Sequence, residues 1–378
     1  MTARERVAAR SRVSINRLPL LAGAALSLAA GLWGGLGLLG FDVPQPRASL
    51  AAQHGPLMAL GFLGTLISLE RAVALKKAWA FTAPVLAALG ALTVVFGFAQ
   101  PGRLLLTAAG GWLIAVYLVL LRRRIGRDTA IQLSGAVAWY IGGLLWMRSG
   151  SVVDMVPWLA AFLVLTIAGE RLELARVAFL RRGASNGMLA AAALVGAGAI
   201  ASTVHTDAGW RITGLGMAVL AGWLALHDIA RHTVRARGLP RYTAACLLAG
   251  YVWLAAAGVL WSVLGLPAAE GGGYDAALHA LFLGFVVSMV FGHAPVILPA
   301  VLGVRLPYHR VLYGPLVLLH AALLVRIAGD LAGVPELRVV GGVLGEVSLL
   351  AFAGCAVAVS RLSHLSRPSR PHVPTEPS

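Results

Sequence analysis

Two histidines, His54 and His279, are the residues whose type and setting could do chemistry. His54 opens the apolar run QHGPLMALGFLGTLISLERAVAL, and His279 opens LHALFLGFVVSMVFGHAPVILPAVLG. A polar ring among lipid-facing side chains is costly to keep, so it marks a site unless a backbone carbonyl satisfies it. The neutral imidazole is also the commonest protein ligand for transition metals. His293, His320 and Glu346 are further ionisable groups in apolar surroundings and join the list of candidate metal ligands.

The elements that must position these groups are membrane-spanning helices. The 378 residues are 59% hydrophobic and 12% charged, a balance that needs lipid as solvent for most of the chain. With roughly 20 apolar residues needed per crossing, the hydrophobicity predicts an all-α bundle of about twelve spans. They fall near 18–40, 52–75, 79–99, 103–121, 129–148, 155–175, 186–204, 209–229, 241–265, 274–302, 308–328 and 338–360.

A formal charge of +16 would suit a nucleic-acid partner if it formed one patch, but the basic residues gather at alternate loops. They include Lys76 and Lys77, the RRRIGR run, Arg181 and Arg182, the RHTVRARGLPR run, and Arg305 with Arg310. Such alternation predicts cytoplasmic N and C termini in the cytoplasmic membrane, and no nucleic-acid partner. Residues 1–17 then form a basic cytoplasmic tail, 18–361 the transmembrane domain, and 362–378 a proline-rich disordered tail. The first apolar run lacks a cleavage site and reads as the first span. Cys246 and Cys355 lie inside spans without a CxxC partner and read as small core residues.

Turning 100° per residue from His54 places Met58, Gly61, Thr65, Ser68 and Ala72 within about 40° of it. That small, smooth face suits a flat macrocycle, although small residues also let helices approach closely. In the tenth span Gly284, Ser288 and Gly292 form a packing stripe, with His279 and His293 on the other face, ~21 Å apart along the axis. The second and tenth spans run in the same direction, so His54 and His279 reach similar depths. Two imidazoles so placed can hold one haem iron from both axial sides.

Among the other groups, Glu346 and His320 reach similar depths on neighbouring spans. A proton relay, a second metal site and a structural hydrogen bond are all open to them. Arg326 is expected to snorkel outward, with a haem-propionate contact as its alternative. Glu70 and Arg71, with Glu170, Arg171 and Glu173, read as an ion-pair girdle, and a proton entry path is the other reading. His293 is close in sequence to His309 across a short loop, where a second metal site competes with simple capping of proline-freed carbonyls. Trp112, Trp139, Trp210 and Trp261 read as an aromatic belt. No Walker loop, dinucleotide fingerprint, GxSxG or HExxH string indicates a soluble catalytic domain.

A histidine opening the second span as HGxxM, paired with one on the tenth of twelve spans, resembles subunit I of the haem-copper oxidases and nitric oxide reductases. The HALFLGF and FGHAP strings are similar to the NnrS-like haem- and copper-containing membrane proteins of nitric oxide metabolism. The resemblance implies a b-type haem held by His54 and His279, lined by Met58 and Gly61, with copper as a further metal. It implies a diatomic gas or an electron donor as partner, and a role in nitric oxide response or electron transfer. The oxidase pattern also requires adjacent histidines on the seventh span, one on the sixth, and HxH on the tenth. Here the sixth span reads AFLVLTIAGERLELARV, the seventh has only His205 at its end, and HxH is absent. The binuclear oxygen-reducing centre cannot be assembled from these residues. A twelve-span secondary transporter without cofactor is the alternative reading.

Overall fold

A backbone crossing hydrocarbon must satisfy its own N–H and C=O groups, and a helix does so within one segment. The computed structural model describes residues 17–44, 50–177, 183–266, 271–302 and 306–365, and among them there is no strand. Twelve helices are long and apolar enough to cross a membrane: α1 (Leu18–Leu38), α2 (Leu50–Leu75), α3 (Ala78–Val95), α4 (Ala99–Arg123), α5 (Arg127–Ser149), α6 (Val153–Ala175), α7 (Ala184–Ala201), α8 (Thr206–His227), α9 (Leu239–Leu264), α10 (Gly272–Pro299), α11 (Arg310–Ala332) and α12 (Pro335–Leu362). The protein is an all-α, multi-pass membrane protein. The expected tails at 1–16 and 366–378, with Arg181, Arg182 and Arg305, lie outside the described residues.

Helices consecutive in the chain pack side by side, with α1–α2, α5–α6, α9–α10 and α11–α12 among the most extensive of these pairs. The end of the bundle from which α1 starts, where the basic loops gather, is called the basic end. Helix α6 is the innermost, with 83% of its apolar window buried. Helix α10 lies against α9 and α11 and also reaches α2 and α6, which brings the two histidine-bearing helices together.

The aromatic-belt expectation fails for three of its four residues. Trp139, Trp210 and Trp261 are fully buried, and only Trp112 is exposed. Their area is used between helices instead. Trp139 crosses the helix interfaces, fitting against Gly64 of α2 and Gly110 of α4 and lying 4.8 Å from the Phe162 ring of α6. Trp210 and Trp261 stack at 4.1 Å, and Trp261 donates its indole N–H to the Ala277 carbonyl at 3.0 Å, joining α8, α9 and α10.

Without a hydrophobic force between helices in lipid, close approach depends on small residues. At the α8–α9 crossing, a Cβ on Gly258 would lie 2.5 Å from the Ala218 nitrogen and 2.8 Å from the Gly214 carbonyl oxygen. Both neighbours are backbone and cannot swing aside. Gly258→Leu is therefore expected to destabilise the bundle by about 1–3 kcal/mol, the usual cost of overpacking. Thermal melting in detergent measures it, and an unchanged melting temperature would refute this account of the crossing.

Candidate functional site

His54 and His279 meet at the end of the bundle opposite the basic end. Their ring centroids are 6.4 Å apart and their planes differ by 30°. Each ring is held through the same atom. His54 Nδ1 bonds the Gly31 carbonyl of α1 at 2.7 Å, and His279 Nδ1 bonds the Asp275 carbonyl one turn earlier at 2.9 Å. A carbonyl oxygen can only accept, so each Nδ1 carries a proton, and in the neutral ring Nε2 presents a lone pair. Among the described residues neither Nε2 makes a hydrogen bond.

Small residues on α1 permit this. A Cβ on Gly34 would collide with the Leu50 carbonyl at the start of α2, and one on Gly35 would lie 3.4 Å from the His54 ring. Met58 fits against Gly31, the residue that accepts from His54, with its sulfur 2.7 Å from where a Cβ would stand. Gly61 serves packing: its hydrogen faces Ser27 of α1 and Ala91 of α3.

Behind His279 stands a charged group. The Asp275 carboxylate lies 3.3 Å from His279 Nδ1 and receives two parallel bonds from Arg326, at 2.8 and 3.0 Å. Arg338 approaches it at 3.7 Å and Asp330 at 3.5 Å, joining α10, α11 and α12. Arg326, expected to snorkel outward, is buried in this clamp because a bidentate carboxylate compensates for its lost water.

The Glu346 and His320 pair does not form. His320 Nδ1 accepts from the Trp253 indole at 2.9 Å. The Glu346 carboxylate instead reaches α1, with Oε1 2.7 Å from the Gly35 Cβ position, the same point that the His54 ring flanks at 3.4 Å. His293 and His309 are likewise apart. His309 caps the turn at Val311 by accepting at 3.2 Å, while His293 bonds the Met289 carbonyl at 2.7 Å. Among the described residues no three of His, Cys, Asp and Glu converge as a metal site.

Both histidine helices change pitch just past their histidines. Leu57–Gly64 in α2 and Ala280–Val287 in α10 are π-helical. Such segments are rare and concentrate at functional sites. Each ends on a hydroxyl that bonds the carbonyl of a glycine four residues back, Thr65 to Gly61 at 2.6 Å and Ser288 to Gly284 at 2.5 Å. The wider turn makes a count of 100° per residue overshoot, so face assignments beyond it shift. The sequence carried a signal for the pitch change, L-G-F-x-x-T at 60–65 and L-G-F-x-x-S at 283–288.

The basic end holds the ion pairs. Arg71 Nη2 bonds Glu70 at 2.6 Å and Glu170 at 2.8 Å, tying α2 to α6. Arg171 pairs with Asp228 at 2.7 Å, both nearly inaccessible, and Tyr251 donates to the same carboxylate at 2.9 Å. The girdle geometry is present, extended by Asp228 and Tyr251, which sequence reasoning did not single out.

Fold and site together define a multi-pass membrane protein that brings two imidazoles to 6.4 Å of each other between α2 and α10. The chain belongs to a family described as a domain of unknown function, DUF8744, which it matches over residues 17–361. No curated protein matches the sequence.

Removing Asp228 would leave Arg171 charged and buried. Asp228→Ala is expected to cost about 3–5 kcal/mol, the range for breaking a buried ion pair. Tyr251→Phe, which deletes one hydrogen bond to a charged group, should cost about 1.5–3 kcal/mol. Melting temperatures in detergent test the order, and Tyr251→Phe equal to Asp228→Ala would refute it.

Proposed function

We propose that the protein is a bis-histidine haem protein of the NnrS-like or oxidase-like type, with His54 and His279 as the axial ligands between α2 and α10. The observation that carries the reading is the spacing of the two rings. Two imidazoles binding one metal ion from opposite sides through Nε2, at the ~2.0 Å of a metal–imidazole bond, have centroids about 6.3 Å apart. The observed separation is 6.4 Å. The donor set fits as well. Metal-ligating histidines commonly donate their other ring N–H to a carbonyl or carboxylate, which fixes the tautomer and strengthens the ligand. His54 has Gly31 in that role, and His279 has both the carbonyl and the carboxylate of Asp275. Two axial nitrogens are what the chain offers, and a porphyrin brings the other four.

When bound, the haem supplies a one-electron iron centre. The residues of the chain hold the tautomers, fix the ring separation and set a paired negative charge behind His279. With His54 and His279 both holding the group, electron transfer is the chemistry this donor pair would favour over a nitric oxide response. His293 bonds the Met289 carbonyl and His320 the Trp253 indole, while Glu346 reaches α1 beside Gly35. By the distribution of basic loops, the termini are assigned to the cytoplasmic side of the cytoplasmic membrane.

The purified full-length chain, expressed with ample haem, should be red and give a b-type pyridine haemochrome and a reduced-minus-oxidised difference spectrum. His54→Ala and His279→Ala should each abolish or shift that spectrum. A colourless protein, or a spectrum untouched by either substitution, would overturn the proposal.

A cofactor-free secondary transporter is the second reading, favoured by one observation, a cavity of about 380 Å³ in the basic half of the bundle. Substrate uptake into vesicles that is indifferent to both histidines would promote it.

A further inference from the structure

The cavity between α1, α2, α6, α10 and α12 is unusual in what it excludes and what it keeps. Nearly all of its wall is apolar, from residues such as Leu63, Leu163 and Val290. Among the described residues its ionisable wall groups are Glu70, Glu170 and His293, with no lysine or arginine in the wall. The nearby guanidinium groups of α2 and α6 are already engaged. Arg71 uses one nitrogen for Glu70 Oε1 and Glu170 Oε1 alike, and Arg171 is committed to Asp228.

One guanidinium therefore serves two carboxylates. Among the described residues the second oxygen of each, Glu70 Oε2 and Glu170 Oε2, makes no hydrogen bond. His293 does not offset the excess, since its Nδ1 bonds the Met289 carbonyl and its Nε2 faces Arg171 at 3.4 Å. An uncompensated carboxylate in a low-dielectric wall attracts positive charge far more strongly than one in water.

The mouth of the cavity decides how that charge could arrive. It is bordered by Ala25 of α1 and by Ala353 and Val357 of α12, all exposed on the outer surface of the bundle. These residues lie within apolar spans, so entry is sideways from lipid. Arg17 bonds the carbonyl of Val301, a wall residue nearer the basic end, from the start of α1. A volume of about 380 Å³ is at the lower end of the range for small-molecule pockets.

We propose that this cavity binds a lipid-soluble cation, a molecule with one positive centre and an apolar body, with Glu70 and Glu170 as its counter-charge. The inference rests on the cavity and its carboxylates, and on neither the haem nor a transport cycle.

The probe is tetraphenylphosphonium, whose charge is permanent and which offers no hydrogen bond. Equilibrium dialysis of the purified full-length protein in lipid nanodiscs, against empty nanodiscs as the blank, should give saturable binding near one per chain. Glu70→Gln and Glu170→Gln, made singly, each remove the surplus charge while leaving one carboxylate on Arg71. Each should weaken binding at least tenfold. Ala353→Phe adds bulk at an exposed position on the mouth, where folding is not at risk, and should weaken it similarly. Neutral triphenylphosphine oxide should compete at least tenfold less well. The proposal is overturned if the native protein shows no saturable binding, if the variants bind the probe as tightly, or if the neutral compound competes equally. The readout does not involve haem, so a colourless protein that binds the probe sinks the haem reading alone, and a red one that does not bind it sinks this one alone.

Discussion

Two bonds of one kind, from imidazole Nδ1 to a backbone carbonyl, set the terms for the rest of the site. Each satisfies a polar ring inside an apolar bundle, and each places a proton on Nδ1 and leaves Nε2 as the ring nitrogen without a protein partner among the described residues. The acceptors differ in origin. His279 uses the carbonyl of its own preceding turn, so that half of the site is local to α10. His54 depends on Gly31 of a different helix, which requires α1 and α2 to lie nearly in backbone contact. Gly34 of α1 follows from that requirement, because a side chain there would push α2 away and withdraw the ring from its acceptor, while one at Gly35 would meet the Glu346 carboxylate.

The same cost of unpaired polarity sorts the charges of the bundle into two layers. At the end holding the histidines, Asp275, Arg326, Arg338 and Asp330 join α10, α11 and α12. At the basic end, Arg71 and Arg171 join α2 to α6 and α6 to the segment after α8. Between the layers the polar groups are mostly hydroxyls returned to their own helix, such as Thr166 to Phe162 and Ser288 to Gly284. Buried pairs of this type contribute little net stability, but losing one partner is severe. They act as register pins between helices whose apolar faces would otherwise slide.

The twelve helices were legible in the sequence because lipid imposes length and hydropathy on each span separately. His54 and His279 were legible for a related reason, since residue type and position within a span suffice to mark them. What could not be read was tertiary. Nothing in either segment states that Arg326 finds Asp275, that His320 finds Trp253, or that Glu346 turns toward Gly35. The buried tryptophans misled because a ring near a span end has the same one-dimensional signature whether it faces lipid headgroups or a glycine on the next helix. The helical faces misled for a different reason, since a regular 100° count cannot pass through a π-helical turn.

That turn connects the two helices in a way their overall sequences do not. In both, the histidine is followed by Leu-Gly-Phe and then by a hydroxyl residue, and in both the hydroxyl bonds the glycine carbonyl that the wider pitch frees. The shift lets one helix serve two partners. Before it, α10 presents His279 toward α2 and Asp275 toward Arg326. At and beyond it, Gly284 meets Trp253, Ser288 lies beside Gly250, and Gly292 meets Cys246, all on α9. In α2, Gly61 lies against α1 and α3 and Gly64 against Trp139 of α5. A helix of uniform pitch would fix the angle between its imidazole and its packing face by sequence spacing alone. The π segments release that constraint, so ring separation and helix packing can each be met, and they do so at the same place on both sides of the histidine pair.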